Sequence, residues 1–176
     1  GDEFAVSLVN KQLSDDIENR NCQIGEIEKA MFAWLRSQPE YAAAFKRLSS
    51  IPGVGKVTGF TLLNFLGTDA KLFQSAEKFT AFGGVYPAMR QSGKWVGKRA
   101  LTTKGCRSLR TALYIAAMAS IRRPGKMRLY YDAKLKQNKK PKQVLIAIAN
   151  RLGRVAWAVV KNGQMYQEDR FLPSFA

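Results

Sequence analysis

A single serine, Ser92, sits in the stretch "RQSGKW", residues 90 to 95, among a dense run of cations. A serine hydroxyl is a weak nucleophile until it is deprotonated and its target is polarised. Cationic side chains can stabilise the charge that develops on a phosphoryl centre. Arg90, Lys94, Lys98, Arg99, Lys104, Arg107 and Arg110 supply such groups, interleaved with Tyr86 and Trp95. Guanidinium groups meet phosphate oxygens in a bidentate manner, and an aromatic ring can stack on a base or sugar. Gly93 removes a Cβ beside the serine and permits close backbone approach. These residue types mark Ser92 as a candidate nucleophile, and equally as a small turn residue in a basic loop.

The usual ways of activating a serine within one chain are excluded by composition. The sequence has no histidine, so no Ser-His pair and few zinc-hydrolase schemes are open to it. Two-metal phosphoryl transfer needs clustered carboxylates that hold the ions about 3.5–4 Å apart. The basic part of the chain offers Asp69, Glu77, Asp132, Glu168 and Asp169, scattered and in no such spacing. No metal site is expected. The two cysteines, Cys22 and Cys106, have no partners at ligand spacing and read as reduced, cytosolic thiols.

A second motif lies upstream, in "LSSIPGVGKVTGFTLLNFLG", residues 48 to 67. Ile51-Pro-Gly-Val-Gly55 followed by Thr58 resembles the helix-hairpin-helix module. Gly53 and Gly55 would let the backbone approach a phosphate, the N–H groups opening the next helix would point at it, and Lys56 adds charge. Such contacts are blind to base sequence. The competing reading is a tight helix–helix turn with no ligand. Gly59 stands where this module usually has alanine, and is expected to loosen the second helix slightly.

The elements that must position these residues follow from periodicity and punctuation. Apolar residues at 6, 9, 13, 17, 24, 27, 31 and 34 repeat every three to four positions, with Asn21 in the gap of the seam. That pattern predicts an amphipathic helix ended by Pro39, either packed on its own domain or pairing with a second copy as a coiled coil. Helices are predicted up to about Ser50, from about Lys56, from Ser75 as N-cap to Gly83-Gly84, through "GCRSLRTALYIAAMASIRR" to Pro124-Gly125, through "KMRLYYDAKLKQNKK", and from Pro141 to Asn162-Gly163. Residues 85–104 show no helical period and read as a loop or small β-hairpin centred on Ser92-Gly93. The tail to Ala176 is expected to be irregular. The fold class is mainly α: a long coiled-coil-like helix over 1–47, then a basic helical domain over 48–176 that carries a helix-hairpin-helix-like element and the serine on a short loop or hairpin.

Charge points to the partner. The chain of 176 residues carries 29 Lys and Arg against 13 Asp and Glu, a net of +16 and a pI near 10.2. Residues 1–47 hold 6 basic and 8 acidic side chains, whereas 48–176 hold 23 and 5. A face this basic without compensating acids repels itself, which favours a nucleic acid as partner and binding that weakens steeply with salt. An anionic membrane is the lesser alternative. No apolar run is expected to reach the roughly 18 residues of a bilayer span, and no membrane partner is expected. The chain begins "GDEF" without methionine, which reads as a junction or an excised fragment of a longer protein.

The order of "LSSIPGVGKVTGFTLLNFLG", "KFTAFGGVYPAMRQSGKW" and "TTKGCRSLRTALYIAAMA" resembles the C-terminal transposase domain of the IS-one-ten insertion-sequence family, which also includes pilin-gene DNA invertases. The likeness runs from about Leu48 to Gly163, and its most specific parts are the "Y-P…SG" loop and the "KG…LR-AL" helix. The resemblance implies a site-specific DNA recombinase, acting in transposition or inversion, in the cytoplasm of a bacterium or archaeon and at its nucleoid. It implies that Ser92, in the "SG" position, attacks the DNA backbone and forms a covalent phosphoserine link. It also implies a RuvC-like acidic domain that binds Mg2+, a composite site between subunits, a homo-oligomer bridged by the N-terminal helix, and, as in several members, a structured bridge RNA. Nothing in this sequence resembles the acidic domain. The chain alone is therefore expected to bind nucleic acid without cutting it and to hold no cofactor. The alternative is a non-catalytic DNA- or RNA-binding module in which Ser92 is structural.

Overall fold

The computed structural model describes residues 2–88, 91–92, 95–96, 100–101 and 105–171. Contacts divide the chain into two units, residues 1–42 and 43–176. In the first unit, α1 (Asp2–Ser37) is a helix of 36 residues, roughly 54 Å long at 1.5 Å per residue. Its apolar stripe, including Val6, Val9, Leu13, Ile17, Ile24, Ile27 and Trp34, is exposed. The helix stops one residue before Pro39, which opens α2 (Pro39–Ser49). A proline is tolerated in that first position because its missing N–H has no intrahelical partner there.

The second unit is helical: α3 (Lys56–Leu66), α4 (Ala76–Phe82), α5 (Arg107–Ser120), α6 (Lys126–Lys136), α7 (Pro141–Lys161) and the short α8 (Glu168–Phe171). Four two-residue strands lie between α4 and α5: β1 (Pro87–Ala88), β2 (Gln91–Ser92), β3 (Trp95–Val96) and β4 (Ala100–Leu101). The mainly α class read from the sequence holds. α7 is the central element and packs against α4, α5 and α6, while α5 also packs against α3. Phe79 of α4, Leu62 and Leu66 of α3, Leu109 and Leu113 of α5, and Ile148 and Leu152 of α7 are fully buried. Each such side chain stabilises the fold by about 1.5–3 kcal/mol through removal of apolar area from water.

Contrary to the sequence expectation, α7 is long and apolar enough, by length and composition, to cross a membrane. Within the second unit that apolar surface is taken up by helices: ten α7 residues from Val144 to Val160 are buried. Gly153 lets α4 and α5 close on it, since a Cβ there would lie 2.9 Å from Thr80 Cγ2 and 3.3 Å from Leu113 Cδ1. Gly59 has a similar use. Its missing Cβ leaves room for the Phe45 ring, which would be 2.9 Å away and which stacks on Phe60 at 4.6 Å between centroids. That glycine is filled space rather than slack.

Local caps set the ends. Ser75 caps α4, its Oγ accepting from Lys78 N–H at 3.3 Å. Replacing Ser75 with alanine should cost about 1 kcal/mol, read as a lower denaturant midpoint with unchanged slope. The tail departs from the expected irregular run. Tyr166 N–H donates to Ser50 Oγ at 2.9 Å, and Glu168 Oε1 accepts from Lys126 N–H at 2.7 Å, so the α8 region is docked on the turns before α3 and α6.

Candidate functional site

The segment that carries Ser92 leaves the helical body after Val85 and returns at Gly105, and both ends are pinned. Val85 N–H donates to Thr80 O at 3.2 Å, and Val85 O accepts from Asn150 Nδ2 on α7 at 3.2 Å. Cys106 N–H donates to Phe82 O at 2.7 Å, and Arg110 Nε reaches Gly83 O at 3.3 Å. Gly105 has φ +120, and a Cβ there would meet Phe82 O at 2.8 Å and Gly84 N at 2.9 Å. Only glycine both adopts that backbone and allows the two ends to come this close.

From these anchors two antiparallel pairings are nested. β1 pairs with β4, placing Pro87 opposite Leu101 and Ala88 opposite Ala100. β2 pairs with β3, placing Gln91 opposite Val96 and Ser92 opposite Trp95. Arg90, Gly93, Lys94, Lys98, Arg99 and Lys104 lie outside the described residues.

The returning chain runs into α5, whose N-cap residue Cys106 makes no side-chain cap and whose first turn has no acid. Arg107 is exposed there and Arg110 half-buried. The Ser108 hydroxyl beside it, then the Leu109 N–H, and more weakly Arg110, hold the Cys106 thiol below its ordinary range, with Sγ and Ser108 Oγ 3.2 Å apart.

The α2–α3 turn behaves differently from its sequence reading at one of its two glycines. Gly53 has φ +87, and a Cβ there would fall 2.2 Å from Ala116 O and 2.7 Å from Ser120 N of α5. Its bare Cα serves the packing of the turn on α5, so the close approach expected for a phosphate is taken by protein backbone. Gly55, the N-cap residue of α3, has φ −88 and open space where a Cβ would be. Lys56 opens α3 and is exposed. The open approach to an anion is therefore at Gly55 and Lys56.

The predicted site residues fall into two groups. Gly53 meets the C-terminal end of α5, whereas Arg107 and Arg110 lie in the first turn at its N-terminal end, just after Gly105, which the sequence had not singled out. Those ends are about 20 Å apart, from 13 residue steps of 1.5 Å.

A cleft of about 580 Å³ opens beside the α2–α3 turn, lined by Ser50, Gly55, Arg123, Gly125, Tyr166 and Glu168 among others. Next to the lining residues Gly125 and Glu168 in sequence, Lys126 Nζ bridges to Asp169 at 2.7 Å. Sequence reasoning missed this cleft, because Tyr166 and Glu168 reach it from a tail with no periodic signal. Burial pushes the Tyr166 phenol up to about 12, with the carboxylates of Glu168 and Asp169 adding to the shift. A raised folded value means that the contribution of Tyr166 is complete below pH 10 and is lost as pH climbs through about 12. An absorbance titration should show a tyrosine step near pH 12 that Tyr166→Phe removes. Among the described residues no group of three or more Cys, Asp or Glu could hold a metal ion.

The family model described as the IS116/IS110/IS902 transposase family matches residues 45–132, which run from α2 through the serine-bearing strands into α6. The chain belongs to that family. This transposase-family chain is 33% identical over 166 residues to an uncharacterised 42 kDa protein of insertion element IS900 from Mycobacterium paratuberculosis, covering 94% of the chain and 40% of that protein. It is 31% identical to a putative transposase of Sinorhizobium fredii, covering 84% of the chain and 38% of the relative. It is also 28% identical to a pilin gene-inverting protein of Moraxella lacunata, over 93% of the chain and 52% of the relative. The family chain thus spans about half or less of the length of these relatives.

Proposed function

We propose that the chain is the DNA-binding, serine-bearing part of a recombinase that transposes or inverts DNA, with Ser92 as the nucleophile. The observation that carries this reading is the position of Ser92: β2 opposite β3, within the family-matched segment and between helices α4 and α5. In the step proposed, Ser92 Oγ attacks a backbone phosphorus. The P–O bond to the departing deoxyribose oxygen breaks, the proton lost from Oγ is balanced by one taken up by that oxygen as it leaves as a hydroxyl, and a phosphoserine diester holds the strand. Attack by the departing or an incoming hydroxyl reverses the step, so the phosphodiester bond is conserved through the exchange.

The described carboxylates do not form a set that fits Mg2+. Any such ion is proposed to be held by an acidic domain outside these residues, in a composite site between subunits. The chain's own contribution is charge and placement. The open α5 head with Arg107 and Arg110 lies beside the strand return, and the Gly55–Lys56 turn sits near the other end of α5. Their separation of about 20 Å matches roughly six base pairs of a duplex at 3.4 Å each. A duplex along α5 would engage both groups.

The exposed stripe of α1 is proposed to pair with a second copy, and a structured guide RNA is proposed as a further partner. Incubation of this chain alone with supercoiled plasmid and Mg2+ is expected to give binding without nicking. Robust nicking would contradict the division of labour.

A further inference from the structure

The α6–α7 corner was not among the residues expected to meet nucleic acid, yet it concentrates charge on a rigid scaffold. Asn138 adopts a left-handed backbone, φ +59. Asn138 N–H donates to Leu135 O at 2.9 Å and Lys139 N–H to Lys134 O at 3.2 Å. That pair of bonds is the Schellman arrangement, which ends α6 and turns the chain sharply. Two residues later Pro141 starts α7, with its φ set in advance. Lys136, Lys139, Lys140 and Lys142 are exposed around this turn.

Two features make the corner costly without a partner. No acid lies in the first turn of α7 and no side chain caps it, while Lys140 and Lys142 stand at its positive end. Cations there oppose the helix dipole. The nearest acid in sequence, Asp132, is committed to Arg128 at 2.8 Å. Lys134 is engaged within the corner itself, donating to Gln137 Oε1 at 3.0 Å and lying over the Tyr130 ring, so it is not counted with the four. None of the four lysines has an ion-pair partner among the described residues.

We propose that Lys136, Lys139, Lys140, Lys142 and the N-terminus of α7 form a second phosphate-backbone surface that grips duplex DNA. The inference rests on the DNA-acting reading above. Lysines on a preset turn give point-charge contacts to phosphates with no base readout. A duplex held there would be gripped in the same way whatever its sequence.

The test is duplex-DNA affinity of the whole chain measured across salt concentrations. Each phosphate contact contributes about 0.9 to the slope of log K against log salt, so changing all four lysines to glutamine should lower the slope by about three to four. The single change Lys140→Gln should lower it by about one. A control with Lys11, Lys29, Lys78 and Lys161 changed to glutamine removes the same charge from exposed positions elsewhere and should leave the slope nearly unchanged. Equal loss in the control, an unchanged slope in the corner variant, or no duplex binding by the parent chain would overturn the proposal. So would loss of binding to phosphatidylserine vesicles with duplex binding retained. Ser92→Ala should keep the full slope, so failure of the nucleophile reading and failure of the corner are read separately.

Discussion

On the proposed mechanism, Ser92→Ala in the recombinase of which this chain is proposed to be a part is expected to abolish strand exchange, by at least about a thousandfold, because removing the proposed nucleophile removes the covalent path itself. Duplex affinity and its salt dependence should be unchanged, since the hydroxyl adds no charge to the phosphate contacts. That split matters more than the loss. A folding defect would lower both quantities, and the serine belongs to a segment whose two ends are anchored through Asn150 and Phe82. Ser108→Ala is the matched control. Its hydroxyl is exposed at the head of α5, 3.2 Å from Cys106 Sγ, and its loss should leave exchange intact. Full exchange by Ser92→Ala would favour the alternative reading, a nucleic-acid-binding module with a structural serine.

The largest stability effect is expected at Gly53. Alanine there would need a left-handed backbone at φ +87 and would drive a Cβ to 2.2 Å from Ala116 O, a contact with backbone that no rotamer can relieve. Strain of the first kind costs about 1–3 kcal/mol and overpacking a similar amount, so Gly53→Ala should lose about 3 kcal/mol or more. In thermal unfolding this is a fall in Tm of roughly 10 °C. Gly55→Ala, two residues on, faces open space with an extended backbone and should change stability by less than about 1 kcal/mol. It should instead weaken duplex binding, because the Cβ would stand where a phosphate approaches α3. If Gly53→Ala folds normally and loses DNA affinity, the turn makes its contact through Gly53 after all.

The contrast between these two glycines shows where sequence reasoning stops. The turn itself was legible: proline and glycine punctuation placed the end of α2 and the start of α3 at Lys56, as Ser75 placed the start of α4. Local rules act over a few residues, and those elements obey them. The job of Gly53 depends on Ala116, 63 residues away, and no spacing within the motif encodes that. The docked tail is the same case, with Glu168 capping α6 across 42 residues. The apolar content of α7 was visible, but its use as the central core helix follows from α4 and α5 closing on Gly153.

For the site, the family segment and the place of Ser92 between α4 and α5 could be read from motif order. Separation of the α2–α3 turn from Arg107 and Arg110 by the length of α5 could not. Neither could the α6–α7 corner, whose lysines are plain in the sequence while the turn that gathers them depends on Asn138.

Trapping the proposed covalent link between Ser92 and DNA is the most direct test of the nucleophile. The proposed recombinase, carrying this chain, reacted with its DNA substrate, quenched in denaturant, digested with nuclease and protease and analysed by mass spectrometry, should yield a peptide containing Ser92 that carries a nucleotide through a phosphodiester bond. Active exchange with no adduct, or with the nucleotide on another residue, would contradict it.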